Sequence, residues 1–459
     1  MIEQKIFRAY DIRGTYPDQL NRDHAVLIGK AFGTYLIKEK KIEAPRVAVG
    51  QDCRTHSMEL FEGFTDGLVS TGCEVTNVGV TPSPYVYFVV TEGKFDGGCN
   101  ITASHNTKEF NGFKLMLANA HAVFGDELQK VYQVIAGGDF SQGSGSKKTA
   151  DYADFYLNRI KSVFPNVKPL KVVIDTGNGV AGLLYPKVIK ALGHEVTELY
   201  TEPDGNFPNH VADPVVESNM EDLKKKVTEV KADLGLGFDG DGDRVALVNE
   251  KGGFINSDHL LMLLSQDILS RHPGEILVFT VANSQALFDL VESWGGKPVM
   301  CPVGHSYVEH AMSQHKAILG GEQSGHFFLP EDYYSYDDAL VTACRILKIV
   351  SDAGKPVSTL LSDFPRTFSV PEIRPYCPDE KKFEILDRIV AHFKDKYPNT
   401  TIDGIRMDFG KGGWCGIRVS NTSPRISVIM EAESEAHLKA IETEIMGHLK
   451  SYPDIDWNR

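Results

Sequence analysis

Short β-branched runs alternate with stretches of helical periodicity along most of the chain. "RVAVGQD" (46–52) leads into a helical stretch, Gly72 and "CEVTNVGVTPSP". "KVVIDTGNG" (171–179) leads into "YPKVIKALG" and "HEVTELYTEPDG", and "EILVFTVANS" (275–284) into "LFDLVESWG" and "GKPVMCPVGHS". Each segment reads as a strand, a helix, a glycine at the helix stop and a second strand. Such a crossover requires parallel or mixed sheets with helices on their faces. Three units in matched order predict three similar α/β domains in series.

The remaining pattern divides the chain. "AGGDFSQGSGSKKTADY" (136–152) has linker composition, and "VNEKGGFINSD" (248–258) reads as a hairpin around Gly252 and Gly253. "FPRTFSVPEIRPYCP" (364–378) is extended, proline-rich and hinge-like. Beyond it, two helical stretches flank strand-like "DGIRMDFGKGGWCGIRVS" and "RISVIMEA", the pattern of a small α+β domain. The expected domains are 1–148, 149–254, 255–366 and 367–459.

Composition narrows the functional classes. The 459 residues are 42% hydrophobic and 24% charged, as in an ordinary globular protein, and carry a formal charge of −14. That balance points away from nucleic acid and membrane surfaces, and an anionic substrate would need a locally basic site. Seven scattered cysteines without a CxxC pair fit a reducing compartment. The N-terminal stretch lacks an apolar signal core, and "HLLMLLSQDIL" (259–269) is too short and polar to span a bilayer. A cytoplasmic monomer or homodimer is expected.

Four polar loops carry the candidate chemistry. In "GFDGDGDRVALVNE" (237–250), Asp239, Asp241 and Asp243 alternate with glycines. Glycine lets a loop bend until carboxylates converge, and converged carboxylates need a cation between them. Oxygen-only ligands select Mg²⁺ or Ca²⁺. An EF-hand is excluded because Arg244 stands where that loop needs glycine, and the flanks "LGLGF" and "VALVN" read as strands. Arg244 can pair with these carboxylates or reach an anion. "TASHN" (102–106) follows the strand-like "GGCNI", and strand ends face the ligand crevice in open α/β sheets. Ser104 is then an exposed candidate nucleophile, with His105 beside it and Lys114 nearby in sequence. A turn of common polar residues is the bland reading, but a metal loop in the same chain points to phosphoryl chemistry.

"GGEQSGHFFLPEDYYSYDDAL" (320–340) offers Glu322, Ser324 and His326 as partners for sugar hydroxyls. His305, in the "GHS" that closes the third unit, is a further candidate substrate contact. "GIRVSNTSPRISV" (416–428) sets Ser420, Asn421 and Thr422 between Arg418 and Arg425, a composition suited to cradling phosphate.

With "TASHN", "DGDGDR", "GEQSGH" and "RVSNTSP" in this order, essentially the whole chain resembles the α-D-phosphohexomutase superfamily, most closely its phosphomannomutase/phosphoglucomutase branch. "FRAYDIRG" (7–14) also looks like the family's N-terminal motif, with Tyr10 and Arg13 at active-site positions. The resemblance implies a four-domain, heart-shaped enzyme: three similar α/β domains with mixed sheets and a C-terminal α+β domain, one loop from each meeting in a central cleft. It implies interconversion of hexose 1-phosphate and hexose 6-phosphate, of mannose or glucose, through phosphoserine at Ser104. Hexose 1,6-bisphosphate would be intermediate and activator. Mg²⁺ would be held by Asp239, Asp241, Asp243 and the Ser104 phosphate. Glu322 and Ser324 would read sugar hydroxyls. Arg418, Ser420, Asn421 and Thr422 would hold the phosphate not being transferred. Arg13, Lys114 and Arg244 would offset phosphate charge, and His105, Lys114 and His326 are the proton-transfer candidates. The alternatives are a phosphoglucosamine mutase, whose branch shares Gln323, and a metal-dependent sugar phosphatase. Thr107 stands where the family usually has proline, and "TVANSQ" (280–285) lacks a lysine many members carry.

Overall fold

A computed structural model describes residues 2–331, 333–420 and 423–457. The chain forms two compact units, Met1–Leu260 with Ser324–Leu360, and Leu261–Gln323 with Leu361–Arg459.

The three repeated units form as the pattern predicts. Strand Arg46–Gln51 runs parallel to Glu74–Val80 across helix Ser57–Ser70. Lys171–Asp175 runs parallel to Glu195–Leu199 across helix Tyr185–Ala191. Ile276–Thr280 runs parallel to Lys297–Cys301 across helix Gln285–Ser293. The helix-stop glycines share one conformation, with φ of 101° at Gly72, 100° at Gly193 and 81° at Gly295. A side chain is strained in that left-handed region, so glycine is the residue that ends each helix and turns the chain toward the next strand.

In the first unit, a six-stranded sheet has the order Ile12–Thr15, Phe110–Leu117, Gly97–Ile101, Arg46–Gln51, Glu74–Val80, Ser146–Thr149. Helices Arg22–Lys38 and Ser57–Ser70 pack so closely that a Cβ on Gly29 would lie 2.1 Å from the Phe64 carbonyl oxygen. Phe32, Phe64 and Phe113 fill the core beneath them. The glycine-rich 136–152 stretch is not the free linker its composition suggests. Ser146–Thr149 adds to the sheet edge parallel to Glu74–Val80. Gly143 and Gly145 lie flat against the backbone of residues 71–73, where a Cβ would come within 2.7 Å and 2.0 Å. Here glycine serves close approach rather than flexibility.

The second sheet of this unit has the order Phe254–Ile255, Val245–Asn249, Leu234–Phe238, Lys171–Asp175, Glu195–Leu199. Leu234–Phe238 is parallel to Lys171–Asp175 and antiparallel to Val245–Asn249. The "DGDGDR" loop is therefore the hairpin that leaves the carboxyl end of a fully buried strand. Val245–Asn249 and Phe254–Ile255 form the hairpin expected around Gly252. The long connection after Leu199 is pinned by His210, whose Nε2 lies 3.2 Å from each Asp175 carboxylate oxygen and whose Nδ1 lies 2.9 Å from the Val211 carbonyl.

In the second unit, Ile276–Thr280 has parallel neighbours on both sides, Lys297–Cys301 and Leu319–Gly321. A separate antiparallel sheet has the order Phe368–Ser369, Ile426–Ala432, Gly413–Val419, Ile405–Gly410, Asn399–Thr400, packed against helices Lys382–Phe393 and Glu435–Leu449. Part of the hinge-like 364–378 segment is stitched to this sheet: Phe368 and Ser369 pair with Ala432 and Glu431, and Ile373 and Tyr376 form bridges to Val428 and Arg425. Two buried charges join this sheet to the parallel one. Arg406 stacks on Trp414 at 3.6 Å and donates to the carbonyls of Val281 (2.6 Å) and Asn283 (2.7 Å). Glu431 accepts from Ser284 Oγ, Trp414 Nε1 and Thr367 Oγ1.

Burial disfavours the charged His210 ring, but acceptors at both ring nitrogens outweigh it and raise the pKa. A raised histidine contributes stability that is complete below its unfolded value of about 6.5 and is lost as pH rises through the folded value. The unfolding free energy of the native protein should exceed that of His210→Gln more at pH 6 than at pH 9. Equal differences at both pH values in urea melts would refute the pairing.

Candidate active site

Ser104 lies in the loop after strand Gly97–Ile101, where the chain leaves the sheet. The residue takes a left-handed conformation, φ 49°, and its N–H donates to Thr102 Oγ1 at 2.9 Å. The loop is clamped by Arg54, a buried residue not anticipated from sequence. Its guanidinium donates to the carbonyls of Ser104 (2.8 Å), Asn106 (2.6 Å), Thr107 (2.7 Å) and Phe110 (3.0 Å). Nε donates to Asp52 at 3.0 Å, so the charge is neutralised where it is desolvated. Ser104 is consequently buried, 2% exposed, not the open loop hydroxyl expected from its neighbours.

The buried hydroxyl faces the metal loop. Ser104 Oγ donates to Asp239 Oδ2 at 2.6 Å, and His105 Nδ1 lies 3.2 Å from the same hydroxyl. A Cβ on Gly240 would sit 2.6 Å from the Ser104 carbonyl oxygen, so only glycine lets the two loops approach this closely. Asp239, Asp241 and Asp243 are fully buried, with one carboxylate oxygen of each within 4.8 Å of the others. Lys114, paired in register with Asn100 next to the Ser104 loop, donates to Asp241 Oδ2 at 2.6 Å and to Asp243 Oδ2. Ser83 Oγ donates to Asp241 Oδ2 at 2.6 Å, and the N–H groups of Asp243 and Arg244 donate to Asp239 Oδ1.

Three buried carboxylates outnumber the single ammonium. Burial, with Asp243 and Asp241 alongside, pushes the Asp239 carboxyl well above the ordinary range. Burial also opposes ionisation of Asp241 and Asp243, but the Lys114 charge outweighs it and both lie below the ordinary range. Asp241 Oδ1 and Asp243 Oδ1 are buried with no hydrogen-bond partner. Surplus negative charge and orphaned oxygens in an all-oxygen set fit a hard divalent cation.

Further groups surround this centre. Arg13, on strand Ile12–Thr15, donates to Asn106 Oδ1 at 2.7 Å and pairs with Asp11, which fixes the "FRAYDIRG" stretch against the Ser104 loop. Tyr10 is half-buried in the same turn. Burial, with Arg244 and Arg13, depresses His105 well below an ordinary imidazole. Arg244 Nε donates to His326 Nε2 at 3.0 Å, so the ring proton sits on Nδ1, which donates to Asp337 at 2.6 Å. Asp337 was not foreseen. Its neighbour Asp338 caps helix Ala339–Ala353 through the N–H groups of Leu340 and Val341, which holds the "YDD" run in place. Ser324 begins the second segment of this unit and is half-buried.

The second unit holds the other candidates. Glu322 is buried and accepts the Gly304 N–H at 2.7 Å, which brings it beside His305 at the start of helix His305–His315. Arg418 faces Asp403 at 3.7 Å, and Asp403 also accepts the Val303 N–H. Ser420 is buried, and its N–H donates to the Arg425 carbonyl at 2.8 Å. Asn421 and Thr422 lie outside the described residues. Asp403, Lys382 and Arg374 also belong to this neighbourhood and had no local signal, whereas Ser423 lies inside the quoted "RVSNTSP" run. Lys382 is buried and donates to the carbonyls of Ser420 (2.8 Å) and Ser423 (3.2 Å) while pairing with Asp379. In "TVANSQ", Asn283 Oδ1 accepts from Thr280 N and Oγ1, so this stretch is occupied in holding its own turn.

A serine oxygen against a carboxylate set that fits a divalent cation defines a metal-assisted phosphoryl-transfer enzyme. Family models for the phosphoglucomutase/phosphomannomutase α/β/α domains I, II and III match residues 4–142, 150–253 and 256–368, and the model for the C-terminal domain matches 372–448. A phosphomannomutase/phosphoglucomutase of Pseudomonas aeruginosa is 40% identical over 97% of this chain and 96% of its own. A phosphoglucomutase of Neisseria meningitidis serogroup A is 35% identical over 99% of both. The crystal structure of a phosphoglucomutase/phosphomannomutase family protein from Burkholderia thailandensis superposes with a TM-score of 0.91, at 38% identity over 98% of each chain. The chain belongs to the phosphoglucomutase/phosphomannomutase family within the phosphohexomutases, and has its four-domain α/β architecture. It is a mutase, an isomerase by class. Among the described residues, no helix is long and apolar enough to cross a membrane.

Arg54→Met should lower turnover by roughly 100-fold, because the serine loop loses its geometry. It should also cost about 3–5 kcal/mol in urea unfolding, since Asp52 is left buried and unpaired. Arg54→Lys should rescue little, as an ammonium cannot span four carbonyls. Native-like turnover in either variant would remove the clamp from the account.

A hard divalent cation, tested as Mg²⁺, should raise the unfolding midpoint of the native protein above its value in chelator, because the converged carboxylates exist only in the folded protein. Asp241→Asn should shrink that rise. An equal rise in native and variant protein would place the ion elsewhere.

Proposed function

We propose that this enzyme interconverts hexose 1-phosphate and hexose 6-phosphate, of glucose and mannose, with Ser104 as the phosphoryl carrier and hexose 1,6-bisphosphate as intermediate. The observation that carries the reading is the 2.6 Å hydrogen bond from Ser104 Oγ to Asp239 within a triad that has two orphaned oxygens. A Mg²⁺ ion held by Asp239, Asp241, Asp243 and the phosphorylated Ser104 would spread the charge of the phosphoryl group in transfer.

The chain's own residues divide the remaining work. Lys114 supplies charge, since Asp241 and Asp243 outweigh the burial penalty and hold it protonated, well above the usual lysine range. Arg13 and Arg244 add positive charge where the phosphoryl group carries negative charge. His105 Nδ1 lies 3.2 Å from Ser104 Oγ, within reach of a proton exchanged with that oxygen once the hydroxyl no longer donates to Asp239. His326, with its tautomer set by Asp337 and Arg244, is suited to exchange a proton with a sugar oxygen once Arg244 turns to phosphate. Glu322, Ser324, His305 and Tyr10 are assigned to the sugar. Arg418, Ser420, Asn421, Thr422 and Arg425 are assigned to the phosphate that stays on the substrate.

Glu322 and Ser324 suit the C3 and C4 hydroxyls, which glucose and mannose share. The two 1-phosphates should therefore turn over at comparable rates, and glucosamine 1-phosphate should be poor because no carboxylate is assigned to its ammonium. Side-by-side kcat/KM values with Mg²⁺ and bisphosphate decide this. A preference for glucosamine 1-phosphate would move the enzyme to another branch, and release of free phosphate without a 6-phosphate product would make it a phosphatase.

A further inference from the structure

The Arg418–Arg425 turn converges two hydroxyls on one point. Ser423 Oγ donates to Ser420 Oγ at 2.8 Å, and the Ser423 N–H reaches the same oxygen at 3.2 Å. The carbonyls of both serines are held by Lys382. That ammonium donates to the two carbonyls and pairs with Asp379 at 2.8 Å, so it shapes the turn.

A guanidinium reaches this point from a distant stretch. Arg374 sits between the bridges Ile373–Val428 and Tyr376–Arg425, and Arg425 Nη1 donates to its carbonyl at 2.5 Å. These ties carry Arg374 alongside the turn, where its Nη2 lies 3.3 Å from Ser420 Oγ and 3.4 Å from Ser423 Oγ. Both contacts are long for a guanidinium on neutral oxygens. The nearest counter-charge is Glu372, 4.0 Å from Nε, and its Oε1 also accepts from Ser427 Oγ. The arginine remains 44% exposed. A monoester phosphate that accepts from the Ser420 or Ser423 hydroxyl lies within reach of Arg374 Nη2, and charged acceptors win over neutral hydroxyls.

We infer that Arg374 is a phosphate ligand of this turn, a second guanidinium that acts with Arg418 on the phosphate the substrate retains. The inference rests on the reading of the turn as a phosphate cradle. Because that phosphate is held alike in ground and transition states, losing Arg374 weakens binding rather than the chemical step.

The test is calorimetric titration of full-length Ser104→Ala protein, which cannot turn over, with glucose 1-phosphate. Arg374→Ala, Arg374→Lys and Arg418→Ala are each made on that background, and circular dichroism confirms the fold. Arg374→Ala should weaken binding about tenfold or more, as expected for a charge-assisted contact. Arg374→Lys should recover part of the loss, since it restores charge but not the fork. With Ser104 intact, Arg374→Ala should raise KM and leave kcat within about threefold. If Arg418→Ala weakens binding and Arg374→Ala changes it less than twofold, the inference fails and the cradle stands. If neither weakens binding, the cradle reading fails and the inference falls with it. A loss confined to kcat in Arg374→Ala would also overturn it.

Discussion

Lys114 places an ammonium between Asp241 and Asp243, and the first unit is organised around that contact. The carboxylates come from a hairpin of the second sheet, and the ammonium comes from a strand of the first. Without it, the ionised Asp241 and Asp243 would face one another desolvated, a cost of several kcal/mol per uncompensated ion. Satisfying it docks the two sheets: Ser83 also reaches across and bonds Asp241 through both side chain and N–H, while Tyr185, from a helix of the second sheet's own layer, steadies the hairpin at the Gly242 carbonyl. The Ser104 loop, held from the other side by Arg54, is thereby fixed on the rim of the carboxylate set.

The second unit solves a similar problem with paired charges of opposite sign. Arg406 supplies donors to carbonyls at the end of strand Ile276–Thr280, and Glu431 supplies acceptors to the next few residues. Both also meet Trp414, one on its face and one on its edge. Each charge meets complementary polar groups of the facing sheet, so neither is stranded in the interface.

The sequence was legible wherever structure is decided locally. Strand, helix and stop glycine recur in short order, and each glycine needs only its own φ. "DGDGDR" and "TASHN" were legible for the same reason, because the residues that bend the loop stand beside those that carry chemistry. What stayed illegible shares one cause. The close packing of Gly143 and Gly145 is hidden because their partners lie some seventy residues earlier, and the pairing within the 364–378 stretch because its strand is more than fifty residues later. Arg54 reaches a loop 50 residues away and Lys382 one 38 away, and no local pattern announces either. Asp337 was nearer, 11 residues from His326, but the "YDD" run reads equally well as a helix cap, which Asp338 is.

The burial of Ser104 sets who can write on it. Its oxygen faces Asp239, and its backbone is held by Thr102 and a four-carbonyl clamp. A modifying enzyme must grip an extended segment around its target, and this segment cannot be drawn out without unfolding the loop. With Ser104 as the proposed carrier, a small phosphorylated metabolite suits this access, and a protein that must draw the segment out does not.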